Sequence, residues 1–259
     1  MRVEVLGCSG GIGGAGFLTT SLLVDEDILI DCGTGVGQLS LEALLRIEHI
    51  FLTHAHLDHI AMLPMLIDTI GDLRSRPIIV HAGRETLKVL REHVFNWLVW
   101  PDFTVIPGYV NPMLRLEEIR CGQTLNLAGR MITPIPARHA VPATGYLIDS
   151  GNGSLAFSGD TAICEEQIAA LNAIPDLRYL IIEAAFPESQ RAMAEVSCHL
   201  SSGMLHEVLR RLTVRPEVFV THLKPGYAEE IAREVLNYPG DAELRLLAAG
   251  QRFELGQQA

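Results

Sequence analysis

The chain has 259 residues, 48% of them hydrophobic, with a mean hydropathy of +0.24 and a formal net charge of −11. This apolar content supports a large buried core and excludes disorder, and the expected organisation is a single domain, 1–259, with two pseudo-halves, roughly 1–130 and 131–259. The acidic balance argues against gripping a long polyanion through the overall field, so a small-molecule substrate is expected and nucleic acid is not.

The five cysteines, Cys8, Cys32, Cys121, Cys164 and Cys198, are odd in number, scattered and never in a CxxC pair. They read as reduced thiols of a cytoplasmic protein, with no zinc-thiolate site. Met1 leads within one residue into Val3-Glu4-Val5-Leu6, a strand pattern rather than a secretion signal, and no apolar stretch reaches membrane-spanning length.

In chain order, strands are expected over Val3–Leu6, Leu18–Val24 and Ile28–Ile30. Between the first two lies a glycine-rich loop, Gly7 to Gly16, in which Gly11, Gly13 and Gly16 match the dinucleotide fingerprint letter for letter. That fingerprint needs a helix directly afterwards to offer its N-terminus to a pyrophosphate. An extended segment follows instead, so the loop reads as a tight wall without side chains, beside a site. Helical periodicity covers Leu39–Leu45, Ile60–Ile70 and Glu85–Trp100, with short strands at Ile50–Leu52 and Pro77–His81. The second half repeats the style. Strands are expected at Met131–Pro136, Gly145–Ile148, Ser154–Phe157, Tyr179–Ile182, Val218–Val220 and Leu244–Leu247, and helices near Glu165–Ala173, Ser202–Leu212 and Tyr227–Leu236.

The densest chemistry is Thr53-His54-Ala55-His56-Leu57-Asp58-His59, at a strand-to-helix junction. Clustered His and Asp are costly to bury without a metal or charge partner. In an extended segment side chains alternate, so His54 and His56 project to one side and can chelate one ion, while Asp58 and His59 follow the turn and can reach a second. Three more candidates end strand patterns: His139, Asp160 within Ser158-Gly159-Asp160-Thr161, and His222 after Thr221.

Taken together, HxHxDH, a distant His, an Asp in SGDT and a His in THLKP resemble the ligand order of the metallo-β-lactamase superfamily across almost the whole chain. The resemblance implies an α/β fold, the αββα sandwich of two mixed β-sheets flanked by helices. It also implies two divalent metal ions, one on His54, His56 and His139, the other on Asp58, His59 and His222, with Asp160 bridging. Zinc is expected, and manganese or iron is tolerated by five imidazoles and two carboxylates. Asp31 matches the family's early aspartate, which orients a ligand from behind, although it equally reads as the start of a turn. His49, His81, His93 and His206 have no ligand spacing and are assigned to surface or core packing.

The stretch His54 to Leu63 resembles the class II cyclic-nucleotide phosphodiesterase signature, departing from it at Pro64-Met65 and Asp68, and Val94 to Phe103 is similar to a region of the same family. Glu183, followed by Ser197-Cys198-His199-Leu200-Ser201, is similar both to those enzymes and to RNase Z. In that reading His199 contacts the phosphate or protonates the leaving oxygen, with Glu183 setting its tautomer; the alternative is that His199 caps the helix near Ser202. Asp58, Glu183 and His199 are thus the candidate catalytic residues. The expected activity is hydrolysis of 3′,5′-cyclic nucleotides, cyclic AMP first, to 5′-nucleotides by a metal-bridging hydroxide. RNase Z-like cleavage of precursor tRNA, thioester or lactone hydrolysis, and a non-catalytic carrier role are the alternatives. A homodimer is compatible with the sequence and no membrane partner is expected.

Overall fold

The computed structural model describes residues 1–14 and 16–256. It contains two seven-stranded mixed sheets. The first takes β1 (Arg2–Gly7), β2 (Ser21–Val24), β3 (Ile28–Ile30), β4 (His49–Phe51), β5 (Ile78–Ala82) and β6 (Leu114–Glu118), with β14 (Arg252–Glu254) returning to pair with β1. The second takes β7 (Leu125–Leu127), β8 (Arg130–Pro136), β9 (Thr144–Asp149), β10 (Ser154–Phe157), β11 (Leu177–Glu183), β12 (Glu217–Thr221) and β13 (Leu244–Leu246). Each sheet is antiparallel in one half and parallel in the other: β3 to β6 run parallel in the first, and β10 to β13 in the second.

Alternation along the strands explains the layering. Leu22, Val24, Ile28, Ile30 and Phe51 meet Tyr146, Ile148, Leu155, Phe157 and Phe219 in a core between the sheets. Their neighbours Leu23, Leu29 and Ile50 point the other way, against a cluster that includes Leu63, Leu66, Ile67 and Ile70 of α3 (Leu63–Ile70) and Leu87 of α4 (Arg84–Val89). Ala156, Leu180, Ile182, Val218 and Val220 likewise face outward onto α5 (Glu165–Asn172), α6 (Arg191–Ser197), α7 (Ser202–Arg210) and α8 (Ala228–Leu236). The result is helix, sheet, sheet, helix, the expected αββα sandwich. Among the described residues no helix is long and apolar enough to cross a membrane.

Some elements differ from the sequence reading. The Glu85–Trp100 helix ends early: α4 is followed by a single wide turn, Leu90–Val94, and the chain then leaves the helix. Asn96 is the physical cause, since its side-chain oxygen accepts from the backbone of Leu98 and Val99, and Trp97 takes a left-handed φ of 66°. Strand β2 is shorter than expected, with Thr19 only bridging to Ser9. Strands β6, β7 and β14 were not read from the sequence. All three lie at or beside a sheet edge, and Leu114–Glu118 carries the charged residues by which edge strands avoid further pairing. The glycine-rich loop opens no helix. Gly10 lies so close to His222 that a Cβ there would sit 2.3 Å from its carbonyl oxygen, so part of the loop is indeed a wall behind a site residue. Ala15 of that loop lies outside the described residues.

Candidate metal centre

The parallel halves of both sheets end at one edge, where the sheets are stitched by Thr144 N–H donating to the Thr53 carbonyl (3.0 Å) and Tyr146 OH to that of Leu52 (2.9 Å). Asp31 follows β3, His54 and His56 follow β4, Asp160 follows β10, Glu183 ends β11 and His222 follows β12. Asp58 and His59 lie on the single turn α2 (Leu57–Ile60). Strand ends of this kind expose side chains where parallel strands stop, which is why α/β sheets carry chemistry there.

Around Asp160, Nε2 of both His59 and His222 lies 3.3 Å from Oδ2, with His54 Nε2 at 3.8 Å and His139 Nε2 at 4.0 Å. Asp58 Oδ2 is 3.8 Å from His59 Nε2 and 3.7 Å from His222 Nε2. His139 Nε2 is 3.1 Å from His56 Nδ1. The ligand atoms fall into two sets, His54 with His56 and His139, and Asp58 with His59, Asp160 and His222, each close enough to share one ion. All seven residues singled out from the sequence converge here. His49 and His81 do not, pairing with each other at 2.9 Å on β4 and β5.

The outer nitrogens explain the inner ones. His59 Nδ1–H donates to Asp31 Oδ2 at 2.7 Å, His139 Nδ1–H to the Cys198 carbonyl at 2.9 Å, and His54 Nδ1–H to Thr53 Oγ1 at 3.0 Å. With Nδ1 as donor, each ring turns an Nε2 lone pair inward, the tautomer a metal ligand needs. His54 Nε2, His59 Nε2 and both nitrogens of His222 are buried without a hydrogen-bond partner. Buried polar atoms left so cost about 1–3 kcal/mol each, so their convergence on a carboxylate fits divalent cations. Burial drives the charged form of His54 well down and that of His222 to about 3, which leaves neutral rings. His59 is the exception: burial opposes its charge, but the carboxylates of Asp160 and Asp31 outweigh burial and push it well up. A ligand lone pair there requires release of that proton.

Asp31 holds a ligand from behind. It sits at a left-handed φ of 60°, accepts Thr53 N–H on Oδ1 and His59 on Oδ2, and is fully buried. His222 is also left-handed, φ 64°, its N–H bound to the Cys8 carbonyl at 2.8 Å, a geometry that turns its ring towards Asp160. Thr53 and the Cys198 and Cys8 carbonyls were given no role in the sequence reading, and a carbonyl leaves no sequence signal.

A second constellation adjoins the first. Glu183, fully buried, accepts from Thr161 N–H (2.7 Å), His199 Nδ1–H (2.9 Å) and Leu200 N–H (3.2 Å). His199, Asp160 and His139 present ligand atoms within 4.8 Å of one another. The helix-capping alternative for His199 is overturned, because the N-cap of α7 is Ser201, whose hydroxyl accepts from Met204 N–H. Burial raises the Glu183 carboxyl; it also opposes a charged His199, yet the Glu183 carboxylate and its hydrogen bond outweigh that and push His199 up.

The sequence profile of the β-lactamase superfamily domain matches residues 26–223, from the strand before Asp31 to the residue after His222. The chain belongs to this superfamily. Its fold implies divalent metal binding, in keeping with the orphaned imidazole nitrogens. Among curated relatives, a probable 3′,5′-cyclic-nucleotide phosphodiesterase of Yersinia pestis is 28% identical over 207 residues, 71% of this chain but only 59% of that protein's length. A ribonuclease Z of Methanosarcina mazei is 24% identical over 289 residues, 89% of this chain and 90% of that protein. Of solved structures, unliganded yeast PDE1 superposes with a TM-score of 0.79 at 20% identity, covering 97% of this chain and 98% of that one, a likeness of fold.

Within this superfamily member the Asp31 geometry makes a sharp prediction. In Asp31→Asn the oxygen must face Thr53, whose backbone N–H cannot become an acceptor, so the amide nitrogen faces His59. His59 then accepts on Nδ1 and carries its proton on Nε2, towards Asp160. Metal affinity should fall roughly 10–100-fold with the fold intact, measured by titrating metal-free protein and by circular dichroism. Unchanged affinity would remove Asp31 from the support of the site.

Proposed function

We propose that this chain is a dinuclear metal-dependent phosphodiesterase that hydrolyses 3′,5′-cyclic nucleotides, cyclic AMP first, to 5′-nucleotides. His54, His56 and His139 would hold one ion, Asp58, His59 and His222 the other, and Asp160 would serve both; zinc suits this set, and manganese or iron is tolerated. Two such ions, when bound, would supply an activated water near neutral pH and charge neutralisation at the phosphoryl oxygens.

The observation that carries the reading is the Glu183–His199 pair beside these residues. With Nδ1 committed to Glu183, His199 is left with Nε2 to deliver a proton to the departing O3′ as the P–O3′ bond breaks and water oxygen joins phosphorus. Glu183 keeps that ring oriented and favours its charged form. Asp58, whose side chain is 26% exposed against 3% for Asp160, is the more accessible of the two carboxylates and would orient the attacking water. Thioester or lactone hydrolysis has no need of the Glu183–His199 pair.

A second reading, an RNase Z-like endonuclease, is favoured by the full-length match to the Methanosarcina protein. Against it stands the formal net charge of −11, an overall field unfavourable to a long polyanion such as a tRNA backbone. The deciding experiment is turnover by metal-loaded protein of cyclic AMP, cyclic GMP, a precursor tRNA, a thioester and a lactone. Cyclic-nucleotide hydrolysis is expected. Cleavage of the tRNA with no action on cyclic nucleotides would establish the second reading, and inertness to all five would point to a carrier.

A further inference from the structure

A groove of about 390 Å³ adjoins the candidate ion set, lined by Glu85, Val89 and Glu92, by Val141 and Pro142, and by His56, itself a candidate ligand. Its volume lies within the roughly 300–1,000 Å³ of small-molecule sites. Glu85 and Val89 belong to α4 and Glu92 to the wide turn that continues it, so their spacing of four and three presents one helical face. Val141 and Pro142 follow His139 by two and three residues. The second wall is therefore built on the segment that carries the candidate ligand His139.

We infer that this groove is the base subsite of the phosphodiesterase, taking a flat heterocycle that bears an exocyclic amino group. The inference rests on the phosphodiesterase reading. His56 belongs both to the groove and to the ion set, so a phosphate held at the ions leaves ribose and base within reach of the groove. Val89 and the Val141-Pro142 wall offer apolar faces to a planar ring. Of its polar groups, Glu85 and Glu92 are carboxylates, which only accept hydrogen bonds, while Thr86, Lys88 and His93 can donate. Adenine, guanine and cytosine present amino donors, whereas uracil presents a carbonyl oxygen at the corresponding position. Lys88, also in the groove wall, offsets part of the carboxylate charge.

The test is Val89→Trp, on the half-exposed wall, assayed beside wild type with cyclic AMP and with methyl p-nitrophenyl phosphate, whose second ester group is only a methyl. The loss in kcat/KM for cyclic AMP should exceed that for the small diester by at least roughly tenfold, the scale on which pocket fit discriminates. Glu85→Gln/Glu92→Gln should reduce the preference for cyclic AMP over cyclic UMP, because an amide can also donate to the uracil oxygen. Equal losses on both diesters, with wild type active on cyclic AMP, overturn the groove alone. Binding of 5′-AMP, followed by calorimetry, separates the two readings. A wild type inert to cyclic nucleotides that binds 5′-AMP, with binding lost in Val89→Trp, overturns the phosphodiesterase reading and keeps the groove. Equal binding by the two proteins, or none by wild type, overturns the groove.

Discussion

Asp160→Ala should cost the protein both metal ions and at least about 10³-fold in kcat/KM, the upper end of what losing one fixed electrostatic group costs. The carboxylate lies within 4.0 Å of inward-facing nitrogens from four histidines, two in each candidate ion set. Without it, His54 and His139 lose the carboxylate they face, and Nε2 of His59 and of His222 keeps only Asp58. The metal-free variant should still fold but be less stable than metal-free wild type near neutral pH, because burial opposes the Asp160 charge yet the neighbouring imidazoles outweigh it and hold the carboxyl well below its usual range, an interaction the alanine loses. Stabilisation by added metal, read as a rise in Tm, should vanish in the variant. His81→Ala, remote from the ion sets, should retain both ions. Elemental analysis giving one ion per wild-type chain at saturation, with Asp58 and His222 dispensable, would refute the dinuclear assignment.

His199→Ala should lower kcat for cyclic AMP by roughly 10²–10⁴-fold, the range for losing a general acid. Metal content should be retained. The loss should shrink sharply for bis(p-nitrophenyl) phosphate, because p-nitrophenolate leaves with little need of a proton whereas a ribose alkoxide does not. The ratio of the two losses is the measurement that matters. A residue that only packed against the site would affect both substrates alike and would lower Tm, since His199 is 6% exposed and stacks near His222 with ring centres 5.3 Å apart. Equal ratios would therefore leave His199 structural. Glu183→Gln should move kcat in the same direction, since the amide neither stabilises a charged His199 nor satisfies the Thr161 and Leu200 donors as the carboxylate does.

How far the site was legible can be followed residue by residue. His54, His56, Asp58 and His59 announce themselves because metal chemistry admits few residue types and a short segment can only place them close together. His139, Asp160 and His222 were legible because each ends an apolar strand pattern, and β8, β10 and β12 run in one direction, which brings such ends to one edge. The layering was equally open to reading, since period-two alternation in Leu22-Leu23-Val24 or Leu155-Ala156-Phe157 assigns each side chain a face before any partner is known.

Sequence alone thus determined the α/β layers, the superfamily pattern and the residues that gather at the sheet edge, because these depend on local periodicity and on residue chemistry. Tertiary structure alone decided the rest. Only packing brings His139 to within 3.1 Å of His56, 83 residues away, and only the fold supplies the Cys198 carbonyl that sets the His139 tautomer. It decided that Asp31 supports His59, a choice between turn and orienting group that the sequence left even, and that Ser201 rather than His199 caps α7. It also ended the Glu85–Trp100 helix where the Asn96 side-chain oxygen accepts from the Leu98 and Val99 N–H groups, and recruited β14 from far along the chain to β1. These outcomes share one physical reason. Backbone carbonyls, edge pairings and long-range hydrogen bonds depend on which distant segments arrive together, and the residues involved carry no local pattern that marks the meeting.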